Sequence, residues 1–591
     1  MRTPDSGTAV RAQQAQPTGS ASTATRISDD AAMPPAVPVL RAQLQADLSG
    51  PTPGTTSNAR RSRKREYIAR VLPTGTSLSR RGVLGLAAGL GAGGALVLAG
   101  CSSNGSTATT AGAAGANAAP SGTLKWGWAL PTSWDPITSS AGWDVHALSL
   151  VYAGLTQEDE KGNAIPALAT AWTYNSDGTQ VTFTLRPGLK FSDGTTLDAA
   201  AVAKSLNRSR TASNSLVAAQ LSTVSNVTAT DATTVVIDLS APNFQVPTLL
   251  AGKTGMIVSP AAFAADAAGL ALKPVGAGPF TLTQYTQNAS ATLVRNPGFW
   301  NAAQIHIANF ELYPLPDPST VVAGLQSGQY TVAQIPGSEV AAAKAAGLQV
   351  QVIPSLVVAV LDINDAEAPF DDDNVVQALK YAVDRKALLQ TAQFGYGDVA
   401  YQPFPEGYVG YNSSIGAPYA YNPTRAESLL AGSKYGPHPK VSITTYAAAG
   451  VPEQLQAQLQ AVGFDASINV IAEAQFTQLV YINHSEQLSV DAFAGRDSAV
   501  QAFQVLFGAQ GLLNPGRKDN AQLEGMLTQV NQTPLDSTKY PGLLQQATEV
   551  AVKQYPNVFL YTTPRILARA ASVSAIPEYI VVQRFEGVTI G

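Results

Sequence analysis

The sequence is poor in the residues that most often build covalent or metal-bound frameworks. Its 591 residues contain one cysteine, Cys101, which excludes an intramolecular disulfide. Whatever folds is therefore held together by burial of apolar surface. Histidine is nearly as scarce: His146, His306, His438 and His484 are the only four, and none lies three or four residues from another. Without a second cysteine, the ligand spacings of zinc sites are absent, and neither a metal nor a cofactor is expected. Only 13% of residues are charged, yet no apolar tract is long enough for a multi-spanning membrane protein. The chain also lacks a Gly-x-Ser-x-Gly elbow and a His-Glu-x-x-His helix, two common hydrolase signatures. A serine triad with widely separated members stays open as an alternative.

What is present is bulk. With 45% hydrophobic residues, the chain can bury a large core, and its length suggests three or four domains. Charge is unevenly spread. Residues 1–100 carry 12 Lys and Arg against 5 Asp and Glu, leaving 25 basic and 36 acidic residues beyond them, a net charge of −11. An acidic body excludes nucleic-acid binding, which needs basic surface to displace counterions.

The most specific local signal is Ser79-Arg80-Arg81-Gly82-Val83-Leu84, followed by an uncharged stretch that ends in Leu98-Ala99-Gly100-Cys101. Paired arginines ahead of a mildly apolar segment resemble a twin-arginine export signal, spanning 77–100. Leu-Ala-Gly-Cys resembles a bacterial lipobox, in which the thiol of Cys101 is lipidated and becomes the new amino terminus. An uncleaved membrane helix is the alternative; the short, glycine-rich segment disfavours it. The basic cluster Arg60–Arg65 lies upstream of this signal and is not a binding patch of the mature chain. Residues 1–76, rich in Pro, Ala, Thr and Ser, read as a disordered extension, with the true start expected near Val71 or Leu72. Residues 101–121 read as a flexible tether, too poor in large apolar residues to offset chain entropy. The expected location is the outer face of the bacterial cytoplasmic membrane.

Beyond the tether the pattern becomes that of a folded α/β protein. Thr123–Leu130 alternates as a strand does, as do Val181–Arg186, Val235–Leu239, Lys440–Thr445 and Ala466–Val470. Asp177-Gly178 and Asp193-Gly194 read as turns. Helices are expected over Ala147–Tyr152, from Asp198 through Leu206, over Asp371–Gln390, and from Asn422-Pro423 to Gly432, which has N-cap, first-turn proline and terminal glycine in order. Asp384-Arg385 reads as a salt-bridged helix end. Gly276-Ala277-Gly278-Pro279 lacks the Lys-Ser/Thr of a phosphate loop and reads as a crossover between lobes.

In order along the chain come Trp134-Asp135-Pro136, Val151-Tyr152-Ala153-Gly154-Leu155, Pro166-Ala167-Leu168-Ala169 leading to Trp172, and Phe183 through Gly194. Val275 through Phe280, Pro369-Phe370-Asp371, Ala378 through Arg385 and Tyr421-Asn422-Pro423 follow. This series resembles the family 5 extracellular solute-binding proteins, the dipeptide, oligopeptide and nickel group, from about Thr123 to the C-terminus. The resemblance implies a two-lobed periplasmic-binding-protein type II (cluster C) fold with a subdomain inserted in the first lobe. The first lobe is expected at 122–145, 276–350 and 561–591, the insert at 146–275, and the second lobe at 351–560. It also implies a monomer that encloses a peptide or peptide-like ligand by hinge closure and delivers it to ABC permease subunits, without enzymatic activity.

The same resemblance picks out candidate ligand contacts. Peptide-binding relatives carry an acidic loop where this chain has Phe493-Ala494-Gly495-Arg496-Asp497-Ser498, and its carboxylate pairs with the ligand amine. Here the usual Asp-Pro is replaced by Ser498-Ala499, and Asp497, one position off, is the expected anchor. Arg496 neutralising Asp497 in a structural loop is the alternative. Trp134, Trp143 and Tyr152 lie where the first lobe approaches the cleft, and Asn364 and Phe404 on the second lobe's side; core packing is the competing role for each aromatic. Other cargo stays open (a nickel chelate, an opine, a sugar or amino-acid conjugate), as does a ligand sensor without transport, since Gly328-Gln329-Tyr330-Thr331 lacks acidic residues that relatives often show.

Overall fold

The computed structural model describes residues 119–314, 317–446, 450–493 and 498–591, apart from the side chains of 473 and 474. All of them belong to the unit Thr110–Gly591. Cys101, the arginine pair, most of the tether and the two candidate residues Arg496 and Asp497 lie outside the described residues.

Among the described residues, three sheets of four or more strands and one two-stranded ribbon organise the chain. The largest has seven strands in the order Gln349–Ile353, Arg565–Arg569, Val332–Gln334, Ser121–Gly127, Ile307–Tyr313, Ser290–Arg295, Phe280–Thr286. Its centre is parallel, with Ser121–Gly127 between Ile307–Tyr313 and Val332–Gln334. Alternation along the first strand puts Leu124 and Trp126 into the core. There Trp126 stacks on Trp128 at 5.3 Å and meets Phe310 and Phe585 edge-on at 6.0 and 5.0 Å.

The second sheet has five strands in the order Asp465–Val470, Lys440–Thr445, Leu488–Phe493, Val358–Ile363, Val558–Thr562. Every residue of Val358–Ile363 is buried, because both faces are covered. One face meets the helices Asp373–Ala382, Pro423–Ala431 and Val451–Ala461; the other meets Ala499–Phe507, Ala521–Asn531 and Tyr540–Gln554. Residues 354–357 and 563–564 are the two short links between the first and second sheets.

The third sheet, in the order Ala169–Tyr174, Gln180–Leu185, Thr234–Leu239, Val224–Ala229, carries the helix Ala199–Thr211 on one face. Asp198 starts that helix by accepting a hydrogen bond from the Ala201 amide at 2.9 Å. The turn at Gly178 has φ +67°, and a Cβ there would sit 2.6 Å from the Phe244 ring, so glycine is required twice over.

Three expectations are corrected. The helix read over Asp371–Gln390 is two helices, Asp373–Ala382 and Arg385–Ala392. Val383 is extended, and the Asp384 carboxylate caps the second helix by accepting from the Ala387 amide at 3.0 Å. Continuous apolar periodicity hid this local cap. Asp384-Arg385 is also not an ion pair: the buried Arg385 guanidinium donates to the backbone carbonyls of Phe559 at 2.7 Å and Tyr419 at 3.0 Å. Finally, the helix expected over Ala147–Tyr152 is Asp144–Leu148. The carbonyls of Leu150 and Val151 are taken by the Phe280 and Gly278 amides, at 2.8 and 2.7 Å. Gly276 and Gly278 permit that approach, since a Cβ on either would lie within 2.4 Å of the Val151 backbone.

Candidate functional site

The loop after the first strand, residues 128–143, carries two of the candidate aromatics, and polar contacts fix it. Asp135 receives both guanidinium nitrogens of Arg208, at 3.0 and 2.5 Å, in a nearly water-free setting. Asp144 accepts from the Thr132 amide at 3.1 Å, the Thr132 hydroxyl and the Ser139 hydroxyl at 2.7 Å. The Lys253 ammonium donates to the Ser139 carbonyl at 2.8 Å. On this frame Trp134 is fully buried, edge-on to Tyr285 at 5.8 Å. Tyr152 is buried as well; burial and then the Asp135 charge push its phenol well above the usual range, against the opposing pull of Arg208. Trp143, by contrast, is 52% exposed. Of the three, only its ring faces solvent broadly.

The other described candidates lie on or beside the second sheet. Phe404 and Phe493 are buried in one apolar cluster, Phe404 lying 5.5 Å from Phe503. Asn364 is 1% exposed and committed to backbone: its amide nitrogen donates to the His484 carbonyl at 3.0 Å and its side-chain oxygen accepts from Ala366 at 3.3 Å. Ser498 caps the helix Ala499–Phe507 by accepting from the Gln501 amide at 3.1 Å. Partial positive charge accumulates at that helix N-terminus. The structure thus gathers Trp134 and Tyr152 in one core, Phe404 and Phe493 in another, and leaves Trp143 on the surface.

A pocket opens beside the first of these groups. Tyr152 borders it with Phe280, Phe299, Trp300, Gln583 and Arg584, and none of its lining residues comes from 351–560. The C-terminal segment is pinned there through His146, whose Nδ1 accepts from the Gln583 amide at 2.9 Å. Burial, and then the Arg565 charge, hold that imidazole well below its ordinary pKa, so it is neutral with its proton on Nε2.

Sequence reasoning missed a contact between the third sheet and the helices of the second. The Phe244 amide donates to the Asn531 carbonyl at 2.8 Å, and the Tyr540 hydroxyl donates to the Gln245 side-chain oxygen at 2.8 Å in a buried setting. These partners lie almost 300 residues apart, and nothing in either segment marks them as neighbours. Among the described residues, no His/Cys/Asp/Glu group could hold a metal ion, and no helix is long and apolar enough to cross a membrane.

Comparison with known proteins adds identity to this geometry. Residues 163–510 match the family model described as bacterial extracellular solute-binding proteins, family 5, middle region. The glutathione-binding protein GsiB of Shigella dysenteriae is 28% identical over 462 residues, covering 75% of this chain and 89% of GsiB. Two solved structures share the fold. DppA of Helicobacter pylori, in complex with the peptide STSA, superposes with a TM-score of 0.69 at 22% identity, over 79% of this chain and 98% of DppA. AgaA of A. tumefaciens R10, in complex with agropinic acid, gives 0.69 at 23% identity, over 80% of this chain and 99% of AgaA.

Proposed function

Because the chain belongs to the family 5 bacterial extracellular solute-binding proteins, we propose that it captures a peptide or peptide-like solute between two lobes and presents it to an ABC permease. The first lobe is built on the seven-stranded sheet with the third sheet as its insert, and the second lobe on the five-stranded sheet. The observation that carries this reading is the pair of separate apolar cores between which the chain crosses at two short links, 354–357 and 563–564. Two short crossings let two stiff bodies rotate as units, which is how a hinge closes around a ligand. The ligand, not the empty cleft, then stabilises the closed form.

On this reading Trp143 offers an exposed ring to ligand side chains, and the segment ahead of the Ser498-capped helix offers the polar contacts. Asp497 pairs with the ligand's ammonium. The protein binds and releases its cargo unchanged, works as a monomer and is tethered through lipidated Cys101 after export as a twin-arginine substrate. That GsiB is named for glutathione and DppA holds a tetrapeptide supports a peptide-like ligand. AgaA with agropinic acid favours an opine as the second reading.

Mass spectrometry of small molecules co-purifying with the full chain identifies the cargo, and calorimetry with glutathione, short peptides and agropinic acid ranks the classes. Asp497→Ala is expected to weaken an amine-bearing ligand by about tenfold or more, the scale of removing one partner of a close charge pair. Unchanged affinity removes Asp497 as anchor. Catalytic turnover of a bound peptide would overturn the binding reading itself.

A further inference from the structure

One interior strand of the second sheet, next to its edge strand Val558–Thr562, is apolar except for one residue. Asp362, in Val358–Ile363, is completely buried. Its Oδ1 accepts from the Asn557 side-chain amide at 2.8 Å. Its Oδ2 lies 2.9 Å from the Tyr481 hydroxyl, and that same hydroxyl lies 2.8 Å from Oδ2 of Asp491, on the neighbouring strand Leu488–Phe493.

Counting protons decides the state of this chain. A phenol has one proton and can donate to only one of the two carboxyl oxygens. If both carboxyls were ionised, the other contact would set two lone pairs against each other at hydrogen-bond distance, in a buried setting where that repulsion is costly. Both contacts are satisfied when one carboxyl is protonated. Asp362 is the one that fits, because it is completely buried whereas Asp491 is only partly so, and a charge costs most where it is most desolvated. The order is then Asp362 Oδ2–H to Tyr481 oxygen, and Tyr481 O–H to the Asp491 carboxylate.

We propose that Asp362, Tyr481 and Asp491 hold one shared proton, and that this proton positions the strand Leu488–Phe493. The proton is taken from solvent and returned to it, with no other chemistry. Asp362 and Tyr481 are positioning residues, since both are buried and act through that strand.

The surroundings agree. Burial and then the charge of Asp491 push the Asp362 carboxyl up to about 7, against the hydrogen bonds from Tyr481 and Asn557. Burial and both carboxylates push the Tyr481 phenol well above its usual range, which excludes a phenolate as the alternative. Beyond Tyr481, the Arg517 guanidinium is turned to the Tyr481 carbonyl at 3.2 Å and to His484 Nε2 at 2.9 Å. Asp491 and Tyr481 are the titratable side chains, among the described residues, that act on Asp362.

A carboxyl whose pKa is higher folded than unfolded is held protonated by the fold. Its stabilisation is full below the ordinary carboxylate pKa and is lost as pH rises from about 4 through about 7. Asp362→Asn is the conservative test, because its amide can donate to Tyr481 and accept from Asn557 at every pH. The thermal midpoint of the full chain is compared with that of Asp362→Asn from pH 4.5 to 8.5. The two are expected to agree at the acid end, and the variant to gain several degrees by pH 8. Amide exchange over 488–493, corrected for intrinsic rate, should quicken severalfold in the wild type between pH 6 and 8 and stay level in the variant.

Parallel pH profiles, or equal destabilisation of the variant at both ends, overturn the proposal. Should Asp362→Asn fail to fold, the infrared band of a protonated carboxyl keeps the question open to measurement. The wild type is expected to show it at pH 6 and lose it through neutrality, and Asp491→Asn to lose it only at a different, lower pH. No such band at pH 6 overturns the shared proton. Because none of these measurements contains ligand, an error about cargo leaves them intact. If the others succeed while amide exchange over 488–493 shows no change in pH dependence between wild type and Asp362→Asn, the positioning role falls and the proton alone stands.

Discussion

The first and second sheets solve the same packing problem with different chemistry. The core against the seven-stranded sheet is aromatic, with Trp126, Phe280 and Phe585 gathered around Phe310, and its buried charged groups lie at its margins: Asp135 with Arg208 and Asp144 beyond the first strand's end, and Arg565 at the first residue of its strand. The interior of the five-stranded sheet admits ionisable groups: Asp362 within it, and Lys380 and Arg385 under its edge, each bonded to side-chain amide, phenol or backbone carbonyl. An apolar frame responds chiefly to lost volume. A core holding ionisable groups also responds to pH.

The largest expected effect lies in the aromatic frame. Phe310→Ala removes a fully buried ring that touches three aromatic neighbours, and should cost about 3–5 kcal/mol in chemical denaturation, with little change in its pH dependence. A pH-dependent cost would break the comparison.

The next effect distinguishes the two regions by pH. Burial, then Arg385 and Lys518, push the Lys380 ammonium down to about 7, while it donates to the Tyr555 carbonyl at 2.6 Å. A depressed lysine stabilises the fold fully above its ordinary 10.5, and that contribution is lost as pH falls from there through about 7. Lys380→Met should therefore flatten the alkaline slope of stability, a slope of at most ~1.4 kcal/mol per pH unit for one group. This window lies above that of Asp362, so the two are separable in one titration. On the first-sheet side, neutral His146 has the same sign at lower pH: its contribution falls as pH drops below the ordinary imidazole range.

The smallest effect concerns what joins the regions. Tyr540→Phe deletes the hydroxyl bonded to Gln245 and should cost about 1 kcal/mol. If the third sheet moves with the first lobe, this bond forms and breaks with closure. The variant should then weaken ligand affinity more than the stability of the ligand-free chain. Equal effects on both would mean that the contact persists through closure.

The sequence carried the element pattern well where the signal is local. Asp198 and Asn422 announced their helices because a cap bonds within four residues. The break at Asp384 was equally local, but the apolar periodicity of Val376, Leu379, Val383 and Leu388 runs through it unbroken and masks it. Of the candidate contacts, the aromatic ones were legible as residue types but not as environments. Trp134 and Trp143 read alike in sequence, yet one is sealed in the core and the other half-exposed, because tertiary packing alone decides which face of a loop is covered.

By itself, the sequence determined the α/β class, the strand alternation and the family, all of which rest on short-range order or on motifs in series. Only the tertiary structure decided that Asp362, Tyr481 and Asp491 share one hydrogen-bonded chain, and that Gln245 meets Tyr540. The reason is physical. Desolvation and hydrogen-bond satisfaction depend on which distant segments close over a group, and no spacing along the chain encodes that enclosure.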